Sequence, residues 1–68
     1  MGVVTRKDGT IKYEVYSDGV IEIFRKNGML KYHLSLYSVW YYYPKDAMHG
    51  YPVPSSIPES VILQSVIL

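Results

Sequence analysis

The sequence predicts a small β-rich domain: an antiparallel meander of four to five strands forming an SH3-like half-barrel, with a Pro-rich loop and a short C-terminal helix. A chain of 68 residues is long enough for a single domain. Three dipeptides that supply positive φ in tight hairpins interrupt an alternation of polar and apolar residues: Asp8-Gly9, Asp18-Gly19 and Asn27-Gly28. We divide the chain into a β-meander (1–43), a Pro-rich loop (44–58) and an apolar C-terminal element (59–68).

The alternation assigns the strand residues to two faces of a sheet. Cross-strand partners share a face, so apolar residues must lie opposite apolar residues. For the second hairpin this favours a three-residue loop, 17–19, with Tyr13 opposite Ile23. For the third hairpin it favours a two-residue turn, 27–28, with Ile23 opposite Tyr32. One face is then predicted to hold Ile11, Tyr13, Val15, Ile21, Ile23, Leu30, Tyr32, Leu34 and Leu36.

The first half of the chain contains an internal repeat. The segments RKDGTIKYEV (6–15) and RKNGMLKYHL (25–34) align with an offset of 19 residues. Both read as a hairpin turn followed by a half-buried strand, and the same physical requirements select similar residues in both places. A gene duplication is therefore not needed to explain the repeat.

The second half of the chain carries weaker signals. No Gly, Pro or Asn lies between Met29 and Tyr43, so we expect one long strand with a bend or bulge near 37–38. All four prolines fall in 44–58, which predicts an ordered loop. Ser56 and Glu59 match a capping box and predict a helix over 57–67. The β-branched residues of this tail leave a strand as the alternative.

Composition excludes several function classes. Seven basic against six acidic residues give a net charge of +1, which argues against a dedicated binder of double-stranded DNA. Cysteine is absent, so there is no disulfide or thiolate metal site, and a reducing, cytoplasmic location is expected. No apolar run reaches the length of a membrane span. No catalytic or cofactor motif is present, so we predict neither an enzyme nor a bound cofactor.

The predicted register makes one row of charged side chains on the outer face, away from the core. Glu14, Glu22 and His33 fall together in this row. Two opposed carboxylates beside a histidine form a weak candidate for a metal or acid–base site. A solvated face whose charges are relieved diagonally by Lys12 and Lys31 is the favoured interpretation.

The next predicted row places an aromatic ring between two cations. Lys12, Phe24 and Lys31 would form this row, and Tyr16 would extend it. Aromatic and basic side chains together on a sheet are typical of surfaces that stack bases and bind phosphates. Nucleic-acid binding is therefore the alternative function.

The favoured function rests on the aromatic residues, which dominate interface hot spots. Trp40, Tyr42, Met48 and Tyr51 are predicted to form a surface for a protein partner. This would make the protein a non-enzymatic binding module, of the kind found among small regulators and inhibitors of viral or mobile-element origin. A homodimer is a plausible further state, because open strand edges and an apolar tail need cover.

Overall fold

The computed structural model describes residues 2–54 and 59–67. They form an antiparallel meander and one helix. The elements are β1 (Gly2–Thr5), β2 (Ile11–Val15), β3 (Ile21–Phe24), β4 (Leu30–Leu34), β5 (Trp40–Tyr42), β6 (Tyr51–Pro52) and α1 (Glu59–Ile67). The six strands lie side by side in chain order in an open sheet. The predicted meander is confirmed, whereas the strand count of four to five is wrong and the half-barrel is not confirmed.

The first four hairpins close with the same pair of backbone hydrogen bonds. In the first hairpin, Arg6 N–H donates to the Thr10 carbonyl at 2.8 Å, and Gly9 N–H donates to the Arg6 carbonyl at 3.0 Å. The same pattern recurs in turns 16–20, 25–29 and 35–39. Each loop therefore contains three residues, and the third has positive φ.

The fourth of these turns corrects the prediction of one bent strand across Met29 to Tyr43. Turn 35–39 separates β4 from β5, and Ser38 takes the position that glycine takes in the other three turns. Its φ of 60° lies in the left-handed region, which disfavours residues with a Cβ atom. The predicted irregularity near 37–38 is therefore a complete hairpin turn, and Leu36, predicted on the apolar face of a strand, is an exposed residue of this turn.

Two β-bulges reconcile the hairpin loops with the register. Tyr32 pairs with Ile23 as predicted, but Leu30 pairs with Phe24, so Lys31 is an extra residue in β4. Lys12 occupies the same position in β2, between the partners of Val4 and Thr5. The third hairpin consequently has a three-residue loop, and the predicted two-residue turn is wrong.

The bulges also change which face some side chains occupy. Leu30 lies opposite Phe24, which follows the core residue Ile23, so Leu30 lies on the outer face. Ile11 takes the equivalent position in the first hairpin. The prediction that Ile11 and Leu30 share a face with Tyr13 and Tyr32 is therefore wrong, because an inserted residue reverses the alternation.

A third, degenerate copy of the repeat follows the first two. Offsetting 25–34 by 19 residues gives PKDAMHGYPV, 44–53, in which Lys45, Met48 and Tyr51 match the second copy. The backbone repeats in part, since one turn hydrogen bond is kept but the positive φ falls on Asp46 and not on Ala47. Ala47 N–H donates to the Pro44 carbonyl at 3.1 Å, as Gly28 N–H does to the Arg25 carbonyl. In its described part, 44–54, the predicted Pro-rich loop thus contains a turn, which we call turn 44–48, and β6.

The core lies on the face that α1 covers. Ile23, Leu34, Trp40 and Ile62 are buried and form one cluster. Residues 59–67 are helical, which confirms the predicted helix over its described part, and the strand alternative is wrong. The predicted capping residue Ser56 lies outside the described residues. The described part of the chain contains no helix long and apolar enough to cross a membrane.

Candidate functional site

Three tyrosines from neighbouring strands line up on the face that α1 partly covers. Tyr32 pairs with Tyr42, and Tyr42 pairs with Tyr51. Because cross-strand partners share a face, the three rings project from β4, β5 and β6 to the same side. We call the concave surface that they form the tyrosine groove.

Aromatic and cationic contacts hold two of these rings in place. The Tyr32 and Tyr42 centroids lie 5.2 Å apart with a tilt of 51°. The guanidinium of Arg25 lies 5.8 Å from the Tyr42 ring centroid, and Lys31 Nζ lies 5.7 Å from that of Tyr32. Such cation–π contacts are worth about 0.5–1 kcal/mol at exposed sites. The rings of Tyr32 and Tyr42 are therefore packed against each other and against two cations of the same chain.

The walls of the tyrosine groove are mostly apolar. Its volume is about 460 Å³. The lining residues other than the three tyrosines are Lys31, Pro52, Val53, Pro54 and Ile62. Tyr51 is 61% exposed. Its hydroxyl forms no hydrogen bond with another described residue. An apolar concavity with a few polar groups at its rim is typical of ligand sites in proteins.

The structure separates the four residues predicted to contact a protein partner. Tyr42 and Tyr51 are direct partners in the sheet and both line the tyrosine groove. Trp40 is 6% exposed and belongs to the core, with its ring edge-on to Tyr32. Met48 is 90% exposed but lies in turn 44–48, beside Tyr43 rather than in the groove.

The predicted outer row of Glu14, Glu22 and His33 is confirmed by the register. Glu22 pairs with Glu14 on one side and with His33 on the other. Its carboxylate accepts a hydrogen bond from the Tyr16 hydroxyl at 2.6 Å and lies 3.1 Å from His33 Nδ1. This hydrogen bond raises the pKa of Tyr16 to about 12. Tyr16 and His33 therefore contact the Glu22 carboxylate. The sequence predicts instead that Lys12 and Lys31 offset this negative charge.

This row does not assemble a metal centre in the part of the chain that the structure describes. No three His, Asp or Glu side chains there are placed to hold an ion. Glu14 lies in the row, but its carboxylate does not join Glu22 and His33 in such a group. The weak metal candidate is therefore not supported by the geometry.

The row predicted for nucleic acid is not formed as expected. Lys12 and Lys31 lie in the two bulges, and Phe24 faces Leu30 instead of a lysine. Lys31 contributes to the tyrosine groove, whereas Tyr16 is engaged with the carboxylate row. These side chains are thus distributed over different surfaces.

Sequence reasoning assigned Tyr32 to the core and so missed its part in the groove. The available signal was the 19-residue offset, which places Tyr13, Tyr32 and Tyr51 at equivalent positions. The third copy is recognised only when Pro44 and Ala47 are accepted in place of Arg and Gly.

No family model, curated protein or solved structure matches the chain, so the evidence for the site comes from the chain itself.

Proposed function

We propose that this protein is a non-enzymatic binding module that takes an extended, proline-containing segment of a partner protein into the tyrosine groove. The observation that carries the proposal is the alignment of three tyrosines along one cross-strand row. Grooves lined by aromatic side chains recognise extended proline-rich segments, because such segments are already close to their bound conformation.

Preorganisation supports this assignment. Arg25 and Lys31 contact the rings of Tyr42 and Tyr32 within the protein itself. A partner that packs against these rings therefore orders few additional side chains, which reduces the entropy cost of binding. Tyr51 completes the row at its exposed end and offers both an apolar ring and a hydroxyl.

The groove also provides charge at its rim. Lys31 lies beside the apolar walls that Pro52 and Ile62 form. A partner segment with an acidic residue flanking its prolines would complement this lysine at little desolvation cost, because Lys31 is only partly buried. Protein binding of this kind fits a regulator or inhibitor, which acts by occupying a surface of another macromolecule.

Selection from a random peptide library displayed on phage tests the proposal. We expect the wild-type protein to enrich peptides with prolines and a flanking acidic residue. Tyr51→Ala should lose these peptides, since it removes the exposed ring of the groove. Tyr37→Ala is the matched control, because Tyr37 is 88% exposed in turn 35–39, at the opposite end of the strands. Equal enrichment by both variants would contradict the proposal.

The homodimer predicted from the open strand edges and the apolar tail remains a separate prediction. If a second copy occupied the groove, Tyr51→Ala would weaken self-association measured by sedimentation equilibrium. In that case a peptide from the selection would compete with dimer formation.

A further inference from the structure

The basic residues of this chain are segregated to one end of the sheet. All seven Lys and Arg residues lie in the turns that join β1–β2, β3–β4 and β5–β6, or in the bulges next to them. They are Arg6, Lys7, Lys12, Arg25, Lys26, Lys31 and Lys45. Two acidic residues, Asp8 and Asp46, lie among them. We call the surface formed by turns 6–10, 25–29 and 44–48 the basic end.

The repeat presents three lysines of the basic end at regular intervals. Lys7, Lys26 and Lys45 are equivalent by the 19-residue offset, and all three are exposed. They belong to alternate hairpin turns, so neighbouring lysines are separated by two strand spacings, about 10 Å. Arg6 and Arg25 use their guanidinium groups within the fold, so the lysines supply the outward-facing charge.

The acidic residue next to Lys7 is already engaged. The Asp8 carboxylate accepts hydrogen bonds from the hydroxyl and the backbone N–H of Thr10, at 2.6 and 3.0 Å. These bonds, with a smaller effect of Lys26, hold the pKa of Asp8 below its usual value. Asp8 therefore serves the turn, and it offsets only part of the positive charge around it.

Two equivalent grooves separate the three turns. The first, of about 380 Å³, lies between turns 6–10 and 25–29, and the second, of about 480 Å³, lies between turns 25–29 and 44–48. Each contains one aromatic residue, Phe24 in the first and Tyr43 in the second. Five lining positions match by the 19-residue offset: Thr10 and Met29, Ile11 and Leu30, Phe24 and Tyr43, Asn27 and Asp46, Gly28 and Ala47.

We propose that the basic end binds single-stranded nucleic acid, with phosphates along Lys7, Lys26 and Lys45 and bases against Phe24 and Tyr43. Regularly spaced cations match a polyanion with regularly spaced charges better than they match a single anion. An aromatic ring in each groove favours nucleic acid over an acidic peptide, because bases stack on such rings. This surface is distinct from the tyrosine groove.

Fluorescence anisotropy with a labelled oligothymidine of about a dozen nucleotides tests this proposal over a range of salt concentrations. Replacing Lys7, Lys26 and Lys45 by Ala should weaken binding. It should also reduce the salt slope by about 2, since each phosphate contact on a single strand contributes about 0.7. All three are exposed turn residues, so circular dichroism should show an unchanged fold.

A second variant separates stacking from simple charge attraction. Phe24→Leu keeps an apolar side chain but removes the stacking surface, and should lower affinity about 5- to 150-fold. Tyr51→Ala should leave oligothymidine binding unchanged, so this test is independent of the tyrosine groove. The proposal is overturned if wild-type protein shows no binding at low salt. Equal affinity for polyglutamate, together with no effect of Phe24→Leu, would also overturn it.

Discussion

Arg6 and Arg25 perform the same structural task in two successive copies of the repeat. Each guanidinium donates to the backbone carbonyl 18 residues ahead: Arg6 Nη2 to Phe24 at 2.6 Å, and Arg25 Nη2 to Tyr43 at 3.1 Å. Each arginine thereby joins its turn to the end of the strand two positions further along the sheet. An isolated two-stranded hairpin is only marginally stable. The arginine hydrogen bond therefore joins each hairpin to the next strand pair in the sheet.

We expect Arg6→Lys and Arg25→Lys each to lower the free energy of unfolding by about 1–2 kcal/mol, because a hydrogen bond from a charged donor is lost. Lysine keeps the charge but lacks the planar fork that reaches the carbonyl. Urea denaturation measures the change. Lys26→Gln, at an exposed position of the same turn, is the control and should change stability by less than about 0.5 kcal/mol. Equal effects of all three variants would contradict the assigned role.

Ser38 predicts a stabilising substitution. Its φ of 60° costs a residue with a Cβ atom about 1 kcal/mol, and glycine avoids this cost. Ser38→Gly should therefore raise the free energy of unfolding by up to about 1 kcal/mol. Ser17→Gly, in the equivalent loop but without a positive φ, should have no stabilising effect. Thermal unfolding of the two variants side by side distinguishes the outcomes, and a destabilised Ser38→Gly would show that turn 35–39 is misassigned.

The helix position predicts a contrast between two adjacent residues. Ile62 is 3% exposed against the core cluster, whereas Val61 is 51% exposed. Ile62→Ala should cost about 2–5 kcal/mol, because it leaves a cavity against Leu34 and Trp40. Val61→Ala should change stability by less than about 0.5 kcal/mol. Similar losses for both variants would mean that α1 does not dock through Ile62.

The Tyr16–Glu22 hydrogen bond predicts a dependence on alkaline pH. The pKa of Tyr16 is about 12 in the folded protein against an ordinary value of 10.0, so folding favours the protonated phenol. This contribution to stability is fully present below pH 10 and is lost as the pH rises through about 12. The difference in ultraviolet absorbance between wild type and Tyr16→Phe isolates this titration. Glu22→Gln should move it back toward the ordinary value, and no movement would contradict the contact.

Much of the fold follows from local signals in the sequence. The glycine turns and the apolar alternation predict β2, β3 and β4 with their correct central pairings, such as Tyr13 with Ile23. The bulges could not be predicted because two arrangements give the same pairing. A two-residue loop, and a three-residue loop followed by a bulge, both place Ile23 opposite Tyr32. Turn 35–39 escapes because serine in the left-handed region has no compositional signature.

The candidate site depends more strongly on tertiary structure. Trp40 and Tyr42 share a face, but Trp40 is buried in the core cluster with Ile62, whereas Tyr42 is half-buried and lines the tyrosine groove. The groove similarly requires β6, a two-residue strand that contains Pro52. Proline is normally absent from the interior of a sheet and is found in edge strands or bulges. Pro52 is tolerated because the neighbouring Val53 N–H donates inward to the Trp40 carbonyl, which leaves the proline nitrogen facing the open edge.

The most direct test of the tyrosine groove is a nuclear magnetic resonance titration of isotope-labelled protein with a proline-containing peptide recovered by the selection. We predict the largest shift changes at Tyr32, Tyr42 and Tyr51, with contacts between peptide protons and the Tyr51 ring. Shift changes concentrated at Leu36 and Tyr37 in turn 35–39, with the three groove tyrosines unmoved, would contradict the account.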